Sequence, residues 1–244
     1  MTLGMNFGWF DPLYLVFLAP GMLLALWAQW RVKSTYAAAS QIQAASGLTG
    51  AEAAQMILNA HNIANVGIEP AHGGHLSDHY DPKAKMLRLS EEVYHGRSVA
   101  SLGIAAHEAG HAIQDQVHYG PLKIRNGIVP LAAIGPNFSF LMVLIGGGLA
   151  SMQMPIGSMI VWAGLGLFSI FVFFQLINLP VEFDASRRAK DLLQSAGLVA
   201  QGQESRAMNK VLNAAALTYV AATLSAIMML LYLVLRSGVL NDRR

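Results

Sequence analysis

The chain has 244 residues, 54% hydrophobic and only 12% charged, with a formal net charge of +2, whereas soluble domains carry about 25% charged residues. With a mean hydropathy of +0.43, this composition points to a membrane protein, and so small a net charge, with lysines and arginines scattered between segments, excludes a nucleic-acid partner. The lack of cysteine excludes disulfides and thiolate ligands, so any bound metal ion must be held by His, Asp or Glu.

Leu13 to Trp30 is uncharged and long enough to cross a hydrocarbon core, so residues 1–30 are expected to form a first membrane span. No basic residue precedes Arg31 and no small-x-small site precedes the charges, which favours a retained anchor over a cleaved signal peptide. Trp9, Phe10, Trp27 and Trp30 would mark its two interfaces, and Pro20-Gly21 would kink it.

Residues 31–125 have the composition of a soluble domain and hold all eight histidines. Helix is predicted to continue from Arg31 to Ser46 and stop at Gly47. Thr49 and Glu52 form a capping box that opens a second helix, running to about Asn62. Gly67, Pro70, Gly73 and Gly74 then break the helical pattern. His75 to Tyr80 and Lys85 to Leu89 alternate as two short strands, and Asp81-Pro82-Lys83-Ala84 reads as the turn of a small β-hairpin. Ser98 is an N-cap for a helix from Val99 to about Val117.

That last helix carries His107, Glu108 and His111, the pattern H-E-x-x-H. Residues four apart on a helix lie about one turn apart on one face, so both imidazoles can reach a single zinc ion. Glu108, roughly 100° round the helix from His107, stands beside the ion and can take a proton from the water the metal activates. The uncharged Ala105, Ala106, Ala109 and Gly110 around the ligands set the motif apart from a chance match on a solvated helix face. The first half of the helix is apolar on all sides, which raises the alternative of an intramembrane protease. Its apolar run is only about ten residues, half of what a span requires, and Gln114, Asp115 and Gln116 follow at once. The helix is therefore expected at the centre of a catalytic domain.

Residues 126–180 contain two uncharged runs, Leu131 to Met152 and Ile156 to Leu179, read as a two-span hairpin. Pro130, Pro136, Gly146 to Gly148, Gly164 and Gly166 read as packing residues that let these helices approach closely. A polar segment, 181–210, returns to the side of 31–125, a fourth span runs from Val211 to Leu235, and 236–244 is a tail. Zinc needs a third ligand, and Glu182, just beyond the third span on a segment that looks helical, is placed to supply it. His118, two turns past His111, and Asp115 are the runners-up. His61, His72, His75, His79 and His95 read as surface or hydrogen-bonded groups.

With HLSDHYDPKAKMLRLSEEVYHGRSVASLGIAAHEAGHAIQ before the span hairpin and NLPVEFDASRRA after it, nearly the whole chain resembles the neutral zinc metallopeptidases of bacterial membranes. More distantly, it is similar to the membrane gluzincins that include the heat-shock membrane protease and the prenyl-protein protease. The resemblance implies one Zn2+ per chain, with His107, His111 and Glu182 as ligands and Glu108 as general base. It also implies that Lys85, Met86, Leu87, Arg88 and Leu89 form an edge strand on which an extended substrate is laid. Many gluzincins carry an aspartate four residues after the glutamate ligand, where this chain has Ser186. Ser186 or Asp184 is then expected to support a ligand histidine. His79, Tyr80, Tyr119 and Arg187 are candidate donors to the transition-state oxyanion.

The expected protein is thus mainly α-helical, a multi-pass membrane protein with a zincin-like catalytic domain containing a small β-hairpin. Its expected partners are the lipid bilayer and a peptide or protein substrate, and its expected activity is metallopeptidase hydrolysis. A non-catalytic scaffold or assembly factor with a structural zinc site is the alternative, but such a site would not need Glu108. Of the 16 Lys and Arg residues, eight lie in 31–125, five in 187–210 and three in the tail. That bias places the catalytic side in the cytoplasm of a bacterial plasma membrane.

Overall fold

The computed structural model describes residues 11–72 and 77–237. Trp9, Phe10, His75 and the end of the tail lie outside the described residues. The chain is mainly helical, in the order α1 (Pro12–Ser40), α2 (Gly50–Ala60), β1 (Gly67–Pro70), β2 (His79–Asp81), β3 (Met86–Leu89), α3 (Glu91–Tyr94), α4 (Val99–Gln116), α5 (Gly120–Ser151), α6 (Pro155–Ser195) and α7 (Gln203–Arg236). Among the described residues, α1, α5, α6 and α7 are long and apolar enough to cross a membrane.

The described residues divide into two compact units. One is drawn from the described residues of 11–27, 124–178 and 219–237, the other from those of 28–123 and 179–218. In the first, Val143 of α5 and Val161, Leu165 and Phe168 of α6 share a buried cluster with Tyr232 and Leu233 of α7. Small residues set the separation of α5 and α6: a Cβ at Gly146 would stand 2.8 Å from the Gly157 carbonyl oxygen. Leu15, Val16, Leu23, Met159 and Trp162 are exposed, as lipid-facing side chains should be when the solvent is hydrocarbon. Pro20, Pro130, Pro136 and Pro180 all fall inside helices; long spans tolerate them because neighbouring groups re-satisfy the freed carbonyls.

The second unit has its own core. Ala53, Ala54, Ile57 and Leu58 of α2, Leu87 and Leu89 of β3, and Leu102, Ala105, Ala106, Ala109 and Ile113 of α4 form its centre, joined by Leu193 of α6 and Met208 of α7. The apolar first half of α4 is thus enclosed by protein. Its start is the predicted one, with Ser98 Oγ accepting from the Ser101 N–H at 3.1 Å. Helix α2 opens with the predicted capping box, Glu52 N–H to Thr49 Oγ1 at 3.1 Å and Thr49 N–H to Glu52 Oε2 at 2.7 Å. Helix α1 ends at Ser40, not Ser46, because the chain beyond it joins the start of α4: Val99 N–H donates to Ile42 O and Ala44 N–H to Arg97 O.

The expected hairpin supplies two strands of a three-stranded sheet. Strands β2 and β3 pair antiparallel across the predicted turn, where Asp81 Oδ1 accepts from the Lys83 and Ala84 N–H groups. Strand β1, which the sequence presents as helix breakers, pairs parallel with β3 on the other side, and the order is β1-β3-β2. This corrects the assignment of Lys85 to Leu89 as an edge strand. Met86 to Arg88 are paired on both flanks, Leu89 pairs with β1 alone and Lys85 lies outside the strand, so among the described residues the outer strands are β1 and β2.

Candidate metal centre

Two helices of the second unit build the site. Helix α4 presents His107 and His111 one turn apart, their rings edge to face with centroids 4.8 Å apart. Helix α6 continues unbroken past Pro180 and presents Glu182 to them. Contact between the helices is close because residue 110 is glycine: a Cβ there would lie 2.9 Å from Ala185 O, a backbone atom that cannot swing aside. Ala185 and Ala189 are fully buried on α6. Small residues in both helices thus bring the glutamate within reach of the histidines.

Glu182 Oε2 lies 3.2 Å from His107 Nε2 and 3.6 Å from His111 Nε2. Three donors around a tetrahedral ion at zinc bond lengths stand about 3.3 Å apart, so this trio has the spacing of ligands around one ion. Among the described residues, His107, His111 and Glu182 form the group able to hold a metal, with ligand atoms within 4.8 Å of one another. Glu182 is 3% exposed. Burial opposes its charge, but hydrogen bonds from the two imidazoles outweigh burial and hold the carboxyl well below the usual glutamate range. Burial likewise opposes charge on His111, yet the Glu182 and Glu108 carboxylates raise its pKa. Positive charge is therefore what this pocket accommodates.

The other ring nitrogens determine which atoms face that charge. Gln114 Nε2 donates to Val181 O at 2.8 Å and to Asp184 Oδ2 at 3.0 Å. Its Oε1 must then accept from His111 Nδ1–H, 2.9 Å away, which leaves Nε2 as the ring nitrogen turned toward Glu182. His107 Nδ1 lies 3.2 Å from Ser186 Oγ. Ser186, four residues after Glu182, thus meets one histidine directly, while Asp184 reaches the other through Gln114. Asp184 also pairs with Arg187, and with Arg188 Nε at 2.6 Å.

Gln114 was not among the candidates from sequence, though it is wholly buried. Its signal was available: a neutral polar residue three positions after the second motif histidine, on an otherwise apolar helix face. Gln114→Ala should lower zinc affinity about 10 to 100-fold, read by competition with a metal-binding dye, while the far-UV spectrum stays helical.

Glu108 is buried at 8% exposure. Close to its charge lies Asp78, which was also not singled out; burial is the main cause of its raised pKa, and Glu108 adds to it. Asp78 accepts from the Ser90 N–H at 2.8 Å and from its hydroxyl. The remaining candidates are placed as follows. His118 is exposed past the end of α4 with φ 53°, and Asp115 turns to Tyr80 Oη at 2.6 Å and Lys85 Nζ at 2.5 Å, so neither belongs to the metal-holding group. Burial, opposed by these two partners, still leaves the Asp115 carboxyl below its usual range, and burial with Asp115 raises the Tyr80 phenol. His79 is exposed with Nδ1 against Ser77 O, and Tyr119 is half-buried. His61 bonds Ile57 O, His95 pairs with Glu91, and His72 is exposed.

A family model described as "Putative neutral zinc metallopeptidase" matches residues 14–238. The protein named "Putative membrane protease YugP" from Bacillus subtilis (strain 168) is 45% identical over 212 residues, covering 87% of this chain and 91% of that protein. No solved structure matches. A match across nearly the whole chain, with a histidine and glutamate group of metal-holding geometry inside it, means that this protein belongs to the neutral zinc metallopeptidase family.

Proposed function

We propose that this protein is a membrane-bound zinc peptidase that hydrolyses peptide bonds with Glu108 as its general base. The observation that carries the proposal is the convergence of two Nε2 atoms and one buried carboxylate oxygen on a single point, with a further buried glutamate between the two histidines. The donor set fits zinc, and His107, His111 and Glu182 would hold one ion per chain. Bound there, zinc would supply Lewis acidity to water and to the scissile carbonyl.

The remaining chemistry belongs to the side chains. Glu108 takes a proton from the attacking water as its oxygen bonds the carbonyl carbon, then delivers that proton to the amine as the C–N bond breaks. Gln114 and Ser186 keep His111 and His107 oriented, and Asp184 holds Gln114 in place. Glu108 is largely withdrawn from solvent, so charge near it is weakly screened. A structural zinc site would use the same ligands but has no role for a buried carboxylate at position 108.

Purified protein in neutral detergent should cleave casein or a labelled peptide, lose that activity to a zinc chelator and regain it with stoichiometric zinc. Stoichiometric zinc without cleavage would leave a structural site only. The proposal also places the catalytic side in the cytoplasm, from the excess of Lys and Arg in 31–125 and 187–210 over the tail. A reporter fused after Arg244 should then read as external and one inserted near Gly202 as cytoplasmic; the reverse pattern would overturn the orientation and leave the chemistry intact.

A further inference from the structure

Apart from the metal centre, the second unit holds a cavity of 380 Å³ between α1 and α7, lined by Arg31, Ser34, Thr35, Gln203, Arg206 and Lys210 over a floor of alanine and isoleucine. Its residues come from matching stripes. Arg31, Ser34, Thr35 and Ala38 follow the i, i+3, i+4, i+7 spacing of one helix face, and so do Gln203, Arg206, Ala207 and Lys210 on α7. Arg31 lines the cavity from α1, Arg206 and Lys210 line it one turn apart from α7, and no acidic residue lines it. The Ser34 and Thr35 hydroxyls donate to Arg31 O, so the donors left for a ligand are the three cations and the Gln203 amide.

The cavity's level follows from the sequence. Arg31 is the first charge after the uncharged run Leu13 to Trp30, and Lys210 is the last before the apolar run Val211 to Leu235. On α1 the uncharged run thus ends right beside the cavity, with Trp30 exposed at that boundary. Phospholipid phosphates lie near the end of such a run, and a cavity lined by three cations and no acid is the complement of an oxyanion there.

We propose that this cavity binds the phosphate headgroup of an anionic phospholipid, with Arg31, Arg206 and Lys210 as its ligands. Free phosphate presents the same chemistry, but the exposed apolar run of α1 that ends at Trp30 offers a lipid's acyl chains a surface beside the site. Full-length protein in neutral detergent is titrated with short-chain phosphatidylglycerol, phosphatidylcholine or inorganic phosphate, with binding read by native mass spectrometry and thermal melting. One phosphatidylglycerol should be retained per chain and raise Tm, whereas phosphatidylcholine should do neither.

Each Lys or Arg near an anionic headgroup is worth about fivefold in affinity. Combining Arg31→Gln, Arg206→Gln and Lys210→Gln should therefore weaken phosphatidylglycerol binding roughly 100-fold. All three residues are exposed, so lipid-free Tm and zinc content should stay unchanged. A control combining Lys33→Gln, Lys83→Gln and Lys123→Gln, exposed cations outside the cavity, should bind as wild type. Equal weakening in both triple variants would overturn the proposal by showing only diffuse attraction. So would full binding by the cavity variant, or protection by inorganic phosphate equal to that of the lipid.

Discussion

Glu108→Gln is expected to leave the zinc content at one per chain and to lower peptide turnover by about 10² to 10⁴-fold, the usual contribution of a positioned general base. Glutamine matches glutamate in size, so the buried position keeps its packing, and residue 108 is not one of the three groups that converge on the metal position. What is lost is an acceptor for the water proton. Zinc measured by atomic emission and cleavage measured on the same preparation separate the two roles, and normal turnover in the variant would sink the mechanism.

Glu182→Ala is expected to lose zinc as completely as His107→Ala, a larger effect than the roughly 10 to 100-fold of a supporting residue such as Asp184→Ala. The reason is geometric, since Glu182 Oε2 stands at ligand spacing from both Nε2 atoms, whereas Asp184 meets its histidine only through Gln114. A ligand that binds only the folded state raises Tm, so added zinc should stabilise wild type and Asp184→Ala but not Glu182→Ala. If Glu182→Ala kept its zinc and its zinc-dependent rise in Tm, the third ligand would have to be sought elsewhere.

Sequence by itself determined whatever depends on neighbours along the chain. The capping box at Thr49 and Glu52, the Ser98 cap, the turn at Asp81 and the four apolar runs each rest on a few consecutive residues, and their helices and turn form where expected. His107 and His111 share a face for the same reason, because helix geometry alone sets a four-residue spacing. Tertiary structure decided what depends on distant partners. Strand β1 could not be read from Gly67 to Pro70, since its pairing is parallel and its partner lies nineteen residues on in register; that pairing moved β3 from the edge of the sheet to its middle.

The support of the histidines was likewise open between Ser186 and Asp184, which point to different sides of one helix. Both contribute, because Gln114 spans from His111 to Asp184 while Ser186 meets His107 directly. The approach of α6 to α4 depends on the missing side chain at Gly110 meeting the Ala185 backbone, a contact between residues 75 apart in the chain. Local periodicity reports which face of a helix is buried, but only packing reports what it is buried against.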